Sequence, residues 1–283
     1  MEVGISSACF YPDFELEKSF KIMKELDFNT GELFLNTYYE YSDDFVKKLI
    51  EEKEKNNFNI KSVHFFSSMY EPYLFDQYER RRKDSLEVFK NICKATNKLG
   101  AFSYTFHGMR KQEFNTINKK EILDIYNELA YIARENNIYL SQENVSWCMS
   151  SDIEFLKYLK NNIKYDIKFT CDIKQAYKSY ENPLHYIDIM GKDLVNFHIN
   201  DRDEKSICLL PGKGRVNYKP IIEKLKTLDY KGPLIIEVYR DNFKTYEELK
   251  DVKDFIENYY YDKMYKCKNK IKEIFDKKRN YML

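Results

Sequence analysis

Short apolar runs alternate with longer amphipathic stretches along most of the chain. The short runs have the length of buried strands, whereas the amphipathic stretches carry apolar residues at helical spacing, as Leu16, Phe20 and Met23 do. The pattern predicts eight strands, at Val3–Phe10, Gly31–Leu35, Ile60–Phe66, Phe102–His107, Ile138–Val145, Ile167–Ile173, Leu194–Ile199 and Pro233–Val238. It predicts a helix after each strand, at Glu15–Leu26, Asp43–Asn57, Gln77–Leu99, Lys119–Asn136, Asp152–Leu159, Lys174–Met190 (interrupted at Pro183), Lys219–Leu228 and Tyr246–Tyr260.

Strands that alternate with helices favour parallel pairing through β-α-β crossovers. Eight such units predict a single (β/α)8 TIM barrel of the α/β class over residues 1–261, because no linker interrupts them. No glycine-rich dinucleotide fingerprint follows the first strand, which argues against an open Rossmann sheet. Residues 262–283 differ, with eight basic residues against three acidic ones. They predict a basic C-terminal helical extension outside the barrel, with a solvated face.

The charge balance is nearly neutral, with 47 Lys and Arg against 46 Asp and Glu among 283 residues. It indicates neither a nucleic-acid partner nor a membrane partner. The six cysteines form no Cys-x-x-Cys pair, and neither a signal peptide nor an apolar run of membrane-spanning length is present. We therefore expect a cytoplasmic protein without nucleic acid or membrane partners. Whether it forms a homo-oligomer is left open.

Polar residues end four successive predicted strands, about one β/α repeat apart. They are Glu143, Asp172, His198 and Glu237. Active sites of (β/α)8 barrels lie at the carboxyl ends of the strands, so these side chains should converge there. Three carboxylates in one place repel one another unless a cation holds them, and oxygen ligands with one imidazole suit Mn²⁺, Mg²⁺, Co²⁺ or Zn²⁺. The pattern predicts one divalent metal ion per chain.

The most specific motifs lie between His198 and Glu237. They read His-Ile-Asn-Asp-Arg, then Leu-Pro-Gly-Lys-Gly-Arg-Val-Asn-Tyr, then Tyr-Lys-Gly-Pro-Leu-Ile-Ile-Glu. Through them the chain resembles, over roughly residues 1–260, the xylose isomerase-like TIM barrels, a superfamily of sugar isomerases and epimerases that also contains endonuclease IV. The resemblance implies that Glu143, Asp172, His198 and Glu237 bind the metal. It also implies that Glu143 and Glu237 are the catalytic acid and base.

Together these features predict a divalent-metal-dependent isomerase or epimerase acting on a small-molecule sugar or sugar phosphate. The metal would chelate the carbonyl and adjacent hydroxyl oxygens, which makes the neighbouring C–H acidic and stabilises an enediolate. One glutamate would remove the proton and the other would return it. Two alternatives use the same scaffold, a keto-inositol dehydratase-type lyase and an abasic-site DNA repair enzyme like endonuclease IV.

Two departures argue against the DNA repair alternative. The family often has a histidine three residues after the strand-six aspartate, and this chain has Gln175 there. The loop Asp203–Leu210, where endonuclease IV would need an Asp-x-His pair, contains no histidine. A three-zinc centre is therefore not expected.

Five further residues are predicted to contact substrate. His64 and His107 match zinc ligands of endonuclease IV but pocket-lining residues of the isomerases, and packing or a second metal are the alternatives. Gln175 follows strand six. Arg202 follows strand seven and could reach a substrate oxygen, with an exposed ion pair as the alternative. Trp147 could stack on the apolar face of a sugar, with burial in the core as the alternative.

Two other features have a structural and a functional interpretation. Glu32, in strand two, would line the rim or form a salt bridge within the barrel, and we favour the salt bridge. Pro211–Arg215 would offer backbone N–H groups to a phosphate, or form a tight turn before a helix capped by Asn217. We favour the turn.

Overall fold

A computed structural model describes residues 1–66 and 69–259. Eight parallel strands form a closed barrel in the order of the chain, which confirms the (β/α)8 TIM barrel. The strands are β1 Val3–Ser6, β2 Thr30–Leu35, β3 Asn59–Phe65, β4 Ser103–Phe106, β5 Tyr139–Glu143, β6 Lys168–Asp172, β7 Leu194–Ile199 and β8 Leu234–Ile236. The predicted C-terminal extension, residues 262–283, lies outside the described residues.

Helices follow every strand. They are α1 Leu16–Glu25, α2 Asp43–Lys55, α3 Glu79–Lys98, α4 Lys119–Glu135, α5 Ile153–Asn162, α6 Ile173–Lys178, α7 Pro183–Met190 and α8 Tyr218–Thr227, with a ninth, α9, over residues 247–259. The predicted interruption separates α6 from α7, and Pro183 occupies the first turn of α7, where a missing N–H costs nothing. None of the helices in the described part of the chain is long and apolar enough to cross a membrane.

The first strand is shorter than predicted. Only Val3–Ser6 is extended, and Ser7–Phe10 forms a 3-10 turn because the Ser6 hydroxyl accepts a hydrogen bond from the Ala8 N–H. β1 closes the barrel by pairing with β2 on one side and β8 on the other. The β1–β2 pairing requires a glycine at position 31, since a Cβ atom there would lie 2.1 Å from the carbonyl oxygen of Ile5.

Polar side chains fill the interior of the barrel. Oε2 of Glu32 accepts hydrogen bonds from Ser62 Oγ at 2.7 Å and Thr105 Oγ1 at 2.8 Å. It also accepts one from Asn196 Nδ2 at 2.9 Å. These residues belong to β2, β3, β4 and β7, so their side chains meet inside the barrel. Because inward positions recur every second residue of a strand, His198 also points inward, two residues after Asn196.

Candidate metal centre

The four side chains predicted as metal ligands meet at the carboxyl ends of the strands. Glu143 and Asp172 are the last residues of β5 and β6, His198 lies on β7, and Glu237 directly follows β8. All four are buried, and their ligand atoms lie within 4.8 Å of one another. His198 Nδ1 lies 3.3 Å from Glu143 Oε1, 3.3 Å from Glu237 Oε2 and 4.0 Å from Asp172 Oδ2.

Two of the converging atoms lack hydrogen-bond partners. Asp172 Oδ2 and His198 Nδ1 are buried and make no hydrogen bond to any described residue. Asp172 Oδ2 has only an ion pair with Lys174 Nζ, at 3.3 Å, and His198 Nδ1 has only the carboxylate oxygens named above, whereas most buried polar atoms in proteins are hydrogen-bonded. A divalent cation would satisfy both, and the set of three carboxylates and one imidazole suits such an ion. The residues present therefore fit a metal centre.

Asp172 is held so that only one of its oxygens faces the centre. It caps the N-terminus of α6, and its Oδ1 accepts hydrogen bonds from the backbone N–H groups of Lys174 and Gln175 at 2.6 and 3.3 Å. Asn200 Nδ2 donates to the same oxygen at 2.9 Å. Because three donors surround Oδ1, Oδ2 is the oxygen available to a metal.

Glu32 holds the imidazole of His198 from the opposite side. Its Oε1 lies 3.2 Å from His198 Nε2, and both side chains are completely buried. An ionised carboxylate at this distance favours a proton on Nε2, although Asn196 Nδ2 also lies 3.2 Å from Nε2. With that proton in place, Nδ1 would be left to bind a metal. The favoured prediction for Glu32, a salt bridge within the barrel rather than a place on the rim, agrees with this position.

Lys174 is a buried cation at the centre that the sequence did not predict. Its Nζ lies 3.1 Å from Glu237 Oε2 and 3.3 Å from Asp172 Oδ2. The same atom lies 4.7 Å from the centroid of the Tyr239 ring. Lysines are rarely buried, so sequence alone assigns this residue to the surface. It is buried because α6 begins directly after β6, without a loop between them.

Two glutamates of the centre are held in the ionised form. Burial raises the pKa of Glu143, but polar contacts with the imidazoles of His107 and His198 outweigh burial and hold that pKa well below its usual range. Burial also raises the pKa of Glu237, but the charges of His198 and Lys174 outweigh burial and hold that pKa well below its usual range. Both carboxylates are therefore negatively charged at neutral pH.

The pKa values of Asp172 and His198 are raised instead. Burial raises the pKa of Asp172 to about 6, although the charge of Lys174 opposes this. Burial lowers the pKa of His198, but the charges of Glu237 and Glu32 raise it well above its usual range. Without a metal, His198 thus holds a proton that a divalent ion would displace.

His64 and His107, predicted to contact substrate, lie beside Glu143. Their Nε2 atoms are 2.8 Å apart. Oε2 of Glu143 lies 3.0 Å from His107 Nε2 and 3.7 Å from His64 Nε2. The three residues form a second group whose ligand atoms could hold a metal. Glu143 therefore directs Oε1 to the first group and Oε2 to the two imidazoles.

A cavity of about 530 Å³ opens above the centre. This volume lies within the range of small-molecule sites. Glu143 and Glu237 reach it from below, and aromatic rings form much of its wall. Its lining includes Tyr11, Phe34, His64, Phe66, His107, Glu143, Trp147, Lys174, Gln175, Glu237 and Tyr239.

Trp147 and Gln175 both line this cavity. Trp147 is half-buried and stands edge-on to the His107 ring, with 5.6 Å between centroids. The side-chain oxygen of Gln175 accepts hydrogen bonds from the backbone N–H and the hydroxyl of Ser146, at 3.1 and 2.9 Å. These bonds fix the amide, so its NH₂ group is the part that faces away from Ser146.

Arg202 is the predicted substrate contact that the structure does not bring to the cavity. It is exposed, and its guanidinium lies 4.1 Å from the ring centroid of Tyr177. The chain turns away after β7, where Asp201 pairs with Leu209 in an antiparallel bridge. Arg202 is carried outward with that turn.

The loop Pro211–Arg215 forms a tight turn, as favoured. Oδ2 of Asp201 accepts hydrogen bonds from Gly212 N and Gly214 N at 2.9 and 3.0 Å. The Asn217 side chain caps α8. Because a carboxylate of the chain already occupies these N–H groups, they are not free to bind a phosphate.

Comparison with known proteins agrees with this architecture. A family model described as xylose isomerase-like TIM barrel matches residues 20–259. An uncharacterized protein of Methanocaldococcus jannaschii is 25% identical over 272 residues, which cover 90% of each chain. The crystal structure of a D-tagatose 3-epimerase-like protein has a TM-score of 0.77 and 23% identity, covering 93% of this chain and 100% of that chain. The structure of the IolI protein with a zinc atom has a TM-score of 0.74 and 17% identity, covering 93% and 99%. The chain therefore belongs to the xylose isomerase-like TIM barrel family.

Proposed function

We propose that the protein is a divalent-metal-dependent isomerase or epimerase of a sugar or sugar phosphate. The observation that carries this proposal is the convergence of Glu143, Asp172, His198 and Glu237 below the cavity, with ligand atoms within 4.8 Å of one another. The similarity in fold to the D-tagatose 3-epimerase-like protein supports the choice of substrate class.

The metal would be held by Glu143 Oε1, Asp172 Oδ2, His198 Nδ1 and Glu237 Oε2. When bound, it would polarise the substrate carbonyl and stabilise the charge of an enediolate. Glu32 would keep the imidazole of His198 in the ligating tautomer. These atoms lie on or directly after strands of a closed barrel, so metal binding would need little reorganisation.

Glu143 and Glu237 would exchange protons with the substrate. They come from β5 and β8, which are three strands apart around the barrel, so they approach the cavity from different directions. A base on one side and an acid on the other allow stereoinversion, whereas transfer to the adjacent carbon gives isomerisation. The low pKa of each carboxylate keeps it ionised, as a proton acceptor must be.

The walls of the cavity suit a carbohydrate. Aromatic rings cover the apolar C–H faces of a sugar, and the rings of Phe34, Trp147 and Tyr239 all line this space. Polar groups lie at the floor, where His64 and His107 stand beside Glu143. They would hydrogen-bond to hydroxyl or carbonyl oxygens of the substrate.

The decisive experiment is proton exchange in D₂O. Protein stripped with a chelator and reloaded with Mn²⁺, Co²⁺, Mg²⁺ or Zn²⁺ is incubated with a panel of ketoses and ketose phosphates, and NMR follows deuterium incorporation next to the carbonyl. We expect metal-dependent incorporation into at least one substrate. The position of the label distinguishes epimerisation from isomerisation, and loss of water from a keto-inositol would indicate the lyase.

A metal-deficient variant supplies the control. Asp172→Asn removes one ligand charge while its remaining oxygen can still cap α6, so the barrel should persist without exchange activity. Absence of exchange across the panel with fully metallated wild-type protein would count against the proposal.

A further inference from the structure

Lys174 contacts the same oxygens that a metal would bind. Its Nζ lies 3.1 Å from Glu237 Oε2, which faces His198 Nδ1 at 3.3 Å. It also lies 3.3 Å from Asp172 Oδ2, the oxygen that makes no hydrogen bond. The ammonium and a divalent ion would thus share two carboxylate oxygens.

The position of Lys174 is well supported by its surroundings. Its side chain is only 2% exposed. The backbone N–H of Lys174 donates to Asp172 Oδ1 at 2.6 Å, which fixes the start of α6. The Tyr239 ring, 4.7 Å from Nζ, adds a cation–π contact. The ring and the two carboxylates contact the ammonium directly, so it has partners in the absence of a metal.

A fixed positive charge here has two opposite effects. It neutralises part of the repulsion between Asp172 and Glu237, so the ligands stay assembled without a metal. It also repels any divalent ion that binds the same oxygens, and such repulsion is strong in a buried site.

Resting on the metal centre proposed above, we infer that Lys174 is a resident counter-ion of that centre. It lowers the affinity of the centre for divalent cations and holds the ligand carboxylates in place when no metal is bound. Its role toward the metal is positioning and tuning of affinity. The centre is thereby built to exchange its ion and to survive its loss.

The test measures metal affinity without reference to turnover. Full-length protein is stripped with a chelator, and Mn²⁺ is titrated by calorimetry into wild type, Lys174→Met and Lys174→Gln. We expect both neutral variants to bind Mn²⁺ at least tenfold more tightly. In the metal-free state both should unfold at a lower temperature than wild type, because two carboxylates lose their counter-charge, and Mn²⁺ should raise their Tm by more than it raises that of wild type.

Two variants control for side effects. Lys174→Arg keeps the positive charge and should not bind Mn²⁺ more tightly than wild type. Lys168→Met removes a lysine from the opposite end of β6, where it pairs with Asp166 and Asp193, and should leave Mn²⁺ affinity unchanged. Should metal-free Lys174→Met not fold, Lys174→Gln, whose side chain is neutral but polar, carries the comparison.

The outcomes separate this inference from the proposed function. Binding of Mn²⁺ by wild type and by both neutral variants with equal affinity, or weaker binding by the variants, would overturn the role of Lys174 and leave the metal centre standing. Absence of Mn²⁺ binding in wild type and in every variant would overturn the metal centre, and this inference with it. Binding by the neutral variants alone would support the inference in its strongest form.

Discussion

His198 Nε2 lies 3.2 Å from Glu32 Oε1, on the side of the imidazole opposite the three converging carboxylates. Glu32 is in turn held by Ser62, Thr105 and Asn196, all of which contact its other oxygen. A carboxylate at the middle of the barrel thus favours the tautomer of His198 that leaves Nδ1 for a metal. The candidate centre thus includes Glu32, a residue that contacts the proposed ligand His198 without being a proposed ligand itself.

Glu32→Gln should weaken metal binding without removing a ligand. In the glutamine variant the NH₂ group would face either His198 Nε2 or Asn196 Nδ2, depending on which oxygen it replaces. The variant also loses the negative charge that makes the imidazole a better ligand. Such partners of metal-bound histidines typically contribute 10–100-fold in affinity. We expect a loss of that size, measured by Mn²⁺ titration.

Glu154→Gln is the matched control for this change. Glu154 is exposed on α5, where it pairs with Lys157. The Glu154→Gln variant should therefore bind Mn²⁺ with the affinity of the wild type. Unchanged affinity in Glu32→Gln would contradict the proposed role of the buried carboxylate.

Asp172→Asn and His198→Asn should lose metal first and activity with it. In Asp172→Asn, the amide oxygen can take the position of Oδ1 and accept the same three hydrogen bonds. The amide nitrogen then takes the position of Oδ2 and faces the metal. A nitrogen without charge or free lone pair is a poor ligand, so metal content should fall steeply while the fold survives. Metal analysis of the purified variants and their circular dichroism spectra check this. Full metal content in either variant would be evidence against its assignment as a ligand.

The convergence of the four proposed ligands follows from the sequence because each lies at or near the end of a strand. In a closed parallel barrel those ends meet on one face, so knowing that Asp172 ends β6 and that His198 lies near the end of β7 is enough to place them together. Arg202 does not line the cavity, since it lies beyond the strand, in a turn whose direction depends on the Asp201–Leu209 bridge.

Lys174 and Glu32 mark what the sequence could not supply. The predicted helix already begins at Lys174, directly after the sixth strand, but the burial of the Lys174 ammonium depends on its contacts with Glu237 and Tyr239, which follow β8. Glu32 stands out in the sequence as a carboxylate in an apolar strand, but its partner His198 lies on β7, and contacts between distant strands leave no trace in the local sequence pattern. Contacts between distant strands need the closed structure.

Glu71 should make stability depend on pH. It is buried, its Oε1 accepts from Tyr104 at 2.6 Å, and its Oε2 accepts from His107 N and Gly108 N at 2.8 Å each. Burial raises its pKa from 4.5 to about 7. Between these values the folded protein holds a proton that the unfolded chain has released, so rising pH favours unfolding, by up to about 1.4 kcal/mol per pH unit.

Comparison with Glu71→Gln isolates this contribution, since the variant cannot titrate at that position. Urea unfolding of both proteins, metal-free, gives the free energy of unfolding at each pH. The wild-type value minus the variant value should fall as pH rises through the window from 4.5 to about 7 and level off above it. A difference that stays constant with pH would rule out titration of Glu71.

The purified protein should not cleave abasic-site DNA at physiological salt. Of its four histidines, His185 lies on α7 beside Glu181, and the other three already belong to the two groups around Glu143. Gln175 replaces the further histidine that a three-zinc centre would need, and its oxygen is engaged by Ser146. A nicking assay on an abasic duplex, with Zn²⁺, Mn²⁺ or Mg²⁺ added, checks this. Efficient cleavage that a chelator stops would favour the DNA repair alternative.

Glu143→Gln and Glu237→Gln test the two-carboxylate mechanism most directly. Each residue is both a proposed ligand and a proposed acid or base, so each change combines weaker metal binding with loss of proton transfer. Metal content must therefore be measured in each variant, and activity compared at full metal loading. Loss of a positioned general base typically lowers the rate by roughly 10²–10⁴-fold. We expect at least this loss in both variants, with some metal retained.

For an epimerase, the two variants should differ in what they still catalyse. In the proposed mechanism Glu143 and Glu237 face the substrate from different sides, so each variant would interrupt one half of the proton relay. One variant should still exchange the substrate proton with D₂O when given one stereoisomer but not the other, and the second variant should show the opposite preference. The reason is that the intact carboxylate can remove and return a proton on its own face. Turnover at the wild-type rate by either fully metallated variant would show that proton transfer does not depend on that glutamate, and the mechanism would have to be abandoned.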